Sequence, residues 1–443
     1  MTGPMLRDIP GSDNRLVATV RFGLDPYDYL NEARRRYGDP FKSWLAGQRI
    51  VLTGEPECIK QILTADYETI ASFNPGHLTP LLGEGSLILI DGQRHARERR
   101  LLSPPLHGAR MRSYARIIRG SALQRAREWQ ISQPFVMQTT TQAISLDVIV
   151  KAVFGVQDPE RVATFERTLL AATDAIWPPS ILIRFLQTDL GPLTPWRKFA
   201  RAKRAATDLV NAEIASRRVA ATGGDDILQL MLDARYEDGG AMTDPQIHDE
   251  LFTLLVAGHE TTAIALAWAM YWLHRNPATL ERLRGELASL GDDPDPEAAA
   301  RLPYLEAVCH ETLRLFPILP LVPRTLIKDM QVGPYTVPAG LNVGFCPAIV
   351  HRHPDLYPDP DAFKPERWLA RKFTPFEFIP FGGGLRRCIG AAFALYEMKL
   401  VLAAILPHHR FSLLDDRPIA PQRRNLTLGP RGGIRMVLIG RDA

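Results

Sequence analysis

The decamer Phe381–Gly390, FGGGLRRCIG, sets one cysteine among four glycines and two arginines and then runs into AAFALYEMKLVLAAIL. An inert buried cysteine needs none of these neighbours, whereas a thiolate ligand or nucleophile needs something to stabilise negative charge on the sulfur. A helix that begins just after Cys388 points unpaired N–H groups and its positive end at that sulfur. Gly382, Gly383, Gly384 and Gly390 permit positive φ and close approach of a large flat group to the backbone. Arg386 offers a cation to acidic groups of a ligand, and Phe381 offers a ring to shield it or stack on it. Together these features predict a thiolate making the single protein bond to a metal, as in haem ligation, rather than a cysteine cluster. The plainer reading, a packed cysteine in a glycine-rich turn, leaves the pattern unexplained.

A second set of reactive residue types is AGHETT, Ala257–Thr262. Glycine inside a helix costs about 1 kcal/mol relative to alanine, so Gly258 calls for a compensating role. Small Ala257 and Gly258 are expected to let a ligand lie against the helix backbone. Glu260 and Thr261 are expected to be buried, which is costly unless they are hydrogen-bonded or used. An alcohol beside an acid can hold a water and pass protons to a reduced dioxygen. Alternatively Thr261 or Thr262 bonds back to a helical carbonyl and bends the helix, and both readings can hold at once. His259 reads as a spacer, and the adjacent histidines at 351, 353, 408 and 409 have no carboxylate cluster to make a metal site. Cys58, Cys309 and Cys346 are scattered without CxxC spacing, so neither a disulfide framework nor a zinc site is expected.

These residues need elements to hold them. The strongest helical pattern is Asp244–Asn276, where Thr243 and Gln246 make a capping box, Pro245 fits the first turn and Pro277 ends the run. At 1.5 Å per residue it is roughly 50 Å long, enough to cross the molecule. It is apolar nearly all round from Leu251 to Leu273, which predicts a central, buried position. Pro303–Leu315 reads as a helix stopped by Pro317, and the last helix, about Ile389–Leu406, starts at the cysteine. Phe41–Trp44 and Ile50–Thr53 flank Ala46-Gly47 as a hairpin. Short strand pairs surround Pro334–Val343, Pro-rich stretches cover Ile176–Pro195, with Trp177 and Phe185, and Pro354–Pro380.

The 443 residues are 46% hydrophobic and 23% charged, an ordinary globular composition with enough interior to enclose a cofactor. No linker, low-complexity tract or repeat marks a boundary, so one catalytic domain over residues 1–443 is expected. A net charge of +4 is only mildly basic, and the arginines of Arg94–Arg119 lack interleaved aromatics. That pattern fits a solvated helix face and not a nucleic-acid site. The N-terminal MTGPMLRDIPGSDNR lacks a signal-peptide pattern, and the longest apolar run, Ala263–Leu273, is short for a bilayer core of ~30 Å. A soluble, cytoplasmic monomer without membrane attachment is expected.

FGGGLRRCIG resembles the haem-binding signature of the cytochrome P450 family at Phe381, Gly384, Arg386, Cys388 and Gly390. AGHETT resembles the family's oxygen-activation motif, ETLR (Glu311–Arg314) its ExxR motif, and PERW (Pro365–Trp368) its meander motif with Arg367. DGQRHARERRLLSPPL resembles the helix that contacts the haem propionates, here through His95 and Arg99, and Arg324 in LVPRT falls where the family often has another such contact. His95 stands where many members carry Trp, and PERW replaces the commoner PERF. The motifs run in order from Asp91 to Met398.

The resemblance implies a mainly α fold with small β-sheets, and haem b (iron protoporphyrin IX) between the long central helix and the cysteine-loop helix. It implies Cys388 as axial thiolate, Thr261 and Glu260 as managers of protons, and a structural Glu311–Arg314–Arg367 network. The reaction implied is insertion of one oxygen atom of O2 into a C–H bond, with electrons from a separate ferredoxin or flavodoxin and its reductase. The partner would dock by Arg94–Arg112 and Arg387, unless those arginines are solvated or pair with acids such as Glu98. Pocket segments by resemblance are Phe73–Leu87, Trp177–Phe185, Leu254–Ala257, Ile318–Val322 and Asn425–Leu428. They are mostly apolar, pointing to a hydrophobic small molecule such as a terpenoid, steroid, fatty acid or polyketide. The alternatives are a haem-thiolate isomerase or dehydratase, which needs no acid–alcohol pair, and a non-enzymatic haem protein.

Overall fold

The capping box at Thr243 forms as its spacing requires: Thr243 accepts from the Gln246 N–H, and the Gln246 side chain returns to the Thr243 N–H. It launches a helix that runs unbroken from Asp244 to Arg275, 32 residues, with Asn276 as its C-cap. Every position from Thr262 to Tyr271 is buried. Length and apolar composition alone would let this helix cross a bilayer, but most of it is packed inside the protein. Thr141, on the helix Met137–Val148, donates to the Ala263 carbonyl at 2.8 Å and ties the two helices together.

The computed structural model describes residues 8–442 except 74, 178, 180–183, 190, 192–193, 221–222, 292–293 and 425–426. Parts of three expected pocket segments, around Asn74, in Trp177–Phe185 and at Asn425, therefore lie outside the described residues, as do the first seven residues of the N-terminal stretch read for a signal peptide. Helices dominate, with small sheets beside them. The largest sheet has five strands in the order Phe41–Leu45, Gln48–Thr53, Asn342–Phe345, Val322–Leu326, Ile70–Ser72. Its first two strands form the expected hairpin, each extended beyond the predicted bounds, and the turn is closed by Ala46 and Gly47 at φ 47° and 77°. Of the strands expected around Pro334–Val343, Tyr335–Val337 pairs with Met330–Val332, while Asn342–Phe345 joins the large sheet.

The sheet matters for the site because of its last pairing. Arg324 lies opposite Ser72 across the antiparallel strands. Ser72 in turn gives both its N–H (2.8 Å) and its hydroxyl (3.0 Å) to Asp91, the residue before the arginine-rich helix Gly92–Leu102. A separate C-terminal hairpin, Pro421–Arg424 with Thr427–Pro430, packs on the central helix, and its Leu428 N–H bonds the Ile318 carbonyl at 3.1 Å.

Candidate active site

The cysteine loop closes on itself. The Cys388 N–H donates to the Phe381 carbonyl at 2.9 Å, and the Gly382 N–H donates to Ile379 at 3.0 Å. Gly384 sits at φ 62°, and a Cβ there would stand 1.9 Å from the Leu63 carbonyl oxygen, so only glycine lets the loop pass. The following helix spans Ala391–Ile405, two residues later than the expected start at Ile389, because the chain first turns through Ile389 and Gly390. The Gly390 N–H still reaches the sulfur. Burial pushes the Cys388 thiol up, while that N–H, Arg99 and Arg387 pull it back. The residue nonetheless carries accessible surface. A group ringed by protein yet accessible faces an interior opening, and Ala257 on the central helix and Leu319 expose surface in the same manner.

Around the opening lies a group of cations with little to balance it. Arg386 contacts Asp91 and the Ile90 carbonyl, and its buried Nε has no partner among the described residues. Arg324 bonds its own Pro323 carbonyl at 2.8 Å, and burial, then Arg386 nearby, lowers it to about 10. Arg99 is held below its ordinary value, first by burial. His95 meets the Tyr67 hydroxyl at 2.9 Å through Nδ1, and burial with Arg386, Arg99 and Arg324 around it pushes it down to about 3. His95 is thus a neutral donor–acceptor, and Asp91 is the one carboxylate that acts on Arg386 and Arg324 among the described residues. An iron porphyrin with two carboxylates fits this site: its acids would balance the surplus charge, and Cys388 would be in place to ligate its iron.

On the central helix the Thr261 hydroxyl donates to the Ala257 carbonyl at 2.5 Å, the back-bonded form, and the helix continues through it without a break. Thr261 and Glu260 are half-buried and not enclosed as expected, because they border the opening. Glu260 Oε1 is 3.4 Å from Arg424 Nε. Gly258 faces Ile149, whose Cδ1 is 3.4 Å from where a Cβ would sit, and is half-buried, whereas Ala257 is exposed. His259 is buried with Nε2 on the Gln142 carbonyl at 3.1 Å, a spacer as expected. Among the described residues no cluster of His, Cys, Asp or Glu forms a further metal site.

Beneath the loop, Glu311 and Arg314 are fully buried and paired through two contacts of 2.8 Å, and Arg367 joins Glu311 at 3.0 Å. Arg314 also holds the carbonyls of His351, Pro360 and Ala362, which ties the meander down. Trp368 adds an indole N–H to Glu311 at 2.9 Å.

Sequence reasoning missed four members of the site: Asp91, Tyr67, Arg424 and the indole donor of Trp368. Asp91 precedes a helix and reads as an N-cap, yet its carboxylate makes no cap and serves Ser72 and Arg386 instead. It also misplaced the partners of the surface arginines. Arg97, Arg100, Arg110 and Arg112 meet Asp238, Glu237, Asp225 and Glu297. Glu98 is buried and accepts from Tyr236 at 2.6 Å and Gln246 at 3.2 Å.

Known proteins share this architecture. The family model for cytochrome P450 matches residues 16–435. The provisionally named cytochrome P450 137 of Mycobacterium tuberculosis is 35% identical over 407 residues, covering 91% of this chain and 83% of its own. The provisionally named cytochrome P450 138 of Mycobacterium bovis is 33% identical over 433 residues, covering 96% and 94%. Among solved structures, the retinoic-acid-bound cyanobacterial CYP120A1 superposes with a TM-score of 0.86 at 26% identity, covering 99% of both chains. With the cysteine loop, the central helix and the cation-ringed opening in their expected order, the chain belongs to the cytochrome P450 family.

Proposed function

We propose that this haem-thiolate monooxygenase inserts one oxygen atom of O2 into a C–H bond of an apolar small molecule, of the terpenoid, steroid, fatty-acid or polyketide kind, as a single catalytic domain. The observation that carries the reading is the opening between Ala257–Thr261 and Cys388, with an alcohol and an acid on one wall and an accessible cysteine on the other. Haem b, when bound, supplies the oxygen-activating chemistry.

The chain's own residues do the rest. Cys388 supplies the thiolate, with the Gly390 N–H directed at it. Arg99, Arg324, Arg386 and neutral His95 hold the two propionates, and Phe381 packs beside the loop. Thr261 holds a proton at Oγ1 that its bond to Ala257 keeps in place until an acceptor in the opening competes for it. Glu260 resupplies that proton once its carboxylate has turned from Arg424 and taken a proton from water. An apolar wall at Leu319 orients the substrate and excludes water.

Electrons come from a separate ferredoxin or flavodoxin with its reductase, docking where exposed Arg387 lies beside Cys388 and Arg99. The test is turnover of reduced pyridine nucleotide and O2 with added ferredoxin and reductase, screening apolar compounds that change the haem spectrum. Oxygenated product is the expected outcome. Conversion of a hydroperoxide without electrons, and no oxygenated product, would instead mark an isomerase.

A further inference from the structure

Residues 83–91 cross from the central helix to the cation group without a helix or strand of their own. Their internal backbone bonds run only to the Ser86 carbonyl, from Leu89 at 2.8 Å and Ile90 at 3.1 Å. Leu87, Leu89 and Ile90 are buried, but apolar burial is non-directional and sets no register. Polar contacts from outside therefore fix this strap. At its far end Arg386 holds the carbonyls of Ile88 and Ile90 and the carboxylate of Asp91. Ser72 donates its hydroxyl to Ile88 and Asp91 there.

One polar turn of the central helix holds the near end. Asp249 Oδ2 accepts the Gly85 N–H at 2.8 Å, and the Thr253 and Ser86 hydroxyls meet at 2.6 Å. Asp249 is the residue for which the strap is shaped. Gly83 sits at φ 89°, where a Cβ would stand 2.0 Å from Asp249 Cγ, and a Cβ on Gly85 would stand 3.0 Å from Oδ2. The same carboxylate reaches a third element. His248 Nδ1 is 3.0 Å from Asp249 Oδ1, and its Nε2 is 3.2 Å from Thr207 Oγ1 on the helix Pro195–Ala220. One turn earlier on that helix, Lys203 has an Nζ without a hydrogen bond among the described residues and feels the charge of Asp249.

We propose that Asp249 is a positioning residue for the haem site: its carboxylate seats the strap 83–91, and with it the Asp91 carboxylate and the carbonyls that aim Arg386 at the propionates. Asp249 lies eight residues, ~12 Å along the helix, before Ala257, so its route to the site is the strap. A backbone N–H bound to a carboxylate is held more strongly than one bound to a neutral acceptor, which suits the contact that must bring the chain round Gly83 and Gly85. Through His248 the carboxylate also fastens the helix Pro195–Ala220 to the strap, so loosening it is felt in both elements. The proposal rests on the haem reading of the cation group.

The test compares hydrogen exchange and haem release in the haem-loaded protein and in its Asp249→Ala and Asp249→Asn variants. Asp249→Ala removes the acceptor, and exchange quickens on the order of tenfold in peptides covering 83–91, 381–390 and the stretch around Thr207. The paired strands His409–Leu413 and Arg435–Arg441 exchange as before, whereas a general loss of stability would quicken them too. Haem passes to an acceptor apoprotein on the order of tenfold faster, while the carbon-monoxide complex keeps its thiolate band. Asp249→Asn, whose amide oxygen still accepts from Gly85, recovers most of both effects. Ser86→Ala, which cuts the neighbouring tie to Thr253, gives the same pattern more weakly and decides the matter where Asp249→Ala does not fold. Unchanged haem release, quickening confined to 83–87, uniform quickening, or no recovery in Asp249→Asn each overturns the proposal. A thiolate band missing from the unsubstituted protein overturns the haem reading itself, a separate result with which the proposal also falls.

Discussion

Thr261 Oγ1 and the Ala257 carbonyl, 2.5 Å apart, form the hydrogen bond nearest to the exposed stretch of the central helix. A hydroxyl held in this way has its one proton engaged and its lone pairs facing the opening. Thr261→Val keeps the shape and removes the proton. We expect it to retain haem and substrate binding while product per electron falls by about tenfold or more, with hydrogen peroxide in its place. Thr261→Ser should recover most of the loss. Unchanged coupling in Thr261→Val removes this hydroxyl from the chemistry.

Cys388→Ala should abolish the thiolate-type absorption band of the reduced carbon-monoxide complex. Because Arg99, Arg324 and Arg386 remain, the variant should still take up porphyrin more weakly, which a haem-binding titration would read separately. Persistence of the band would mean that another residue ligates the iron.

The buried Glu311 accepts from Arg314, Arg367, Trp368 and the Lys364 N–H, so it is the most heavily shared acceptor beneath the loop. Glu311→Gln leaves Arg314 buried without a counter-charge and should cost about 3–5 kcal/mol. Trp368→Phe removes one donor and should cost about 1–2 kcal/mol. Urea unfolding of the two variants would place them in that order; a larger loss for Trp368→Phe contradicts the assignment.

Glu397, on the cysteine helix, is buried, and burial pushes its carboxyl up to about 8; Glu250, on the central helix, is likewise raised to about 8. A folded value above the unfolded one means that the stability these acids contribute is complete below about pH 4.5 and is lost as pH rises through 8. His259 and His274, lowered to about 4, act in the other window, losing stability as pH falls from 6.5. Between pH 6.5 and 8 the two acids each take away up to ~1.4 kcal/mol per pH unit, and Lys203, lowered to about 7 by burial, offsets part of that in the opposite direction. The urea midpoint should therefore decline over that range, and Glu397→Gln should flatten the decline.

Arg387 is exposed beside the cysteine, whereas Arg100 already meets Glu237. Reversing Arg387 should therefore raise the apparent KM for ferredoxin more than reversing Arg100, and both effects should fade as salt screens charges beyond about 8 Å. Peroxide-driven turnover should be untouched by either. Equal or absent effects at low salt place the docking face elsewhere.

The parts of this molecule that local chemistry dictates could be read from the chain alone. Thr243 and Gln246 announce a helix start wherever they occur before an apolar run, and Glu311 with Arg314 share a helix face by spacing. What could not be read are the pairings made by long-range packing. Arg424 reaches Glu260 from 164 positions away in the chain, and Arg386 reaches Asp91 across 295. No periodicity encodes such partners. Gly258 misled for a related reason: its small size serves Ile149, a neighbour that only the tertiary fold supplies.

The single carboxylate of Asp91 has a consequence for how the molecule is put together. Before the porphyrin arrives, three guanidiniums repel one another across a gap that one acid cannot balance. Loading is then a neutralisation as much as an insertion, so the newly made chain should be looser around Ser72, Asp91 and the cysteine loop than the mature protein. Haem supply would accordingly govern how much of the newly made protein escapes proteolysis in the cell.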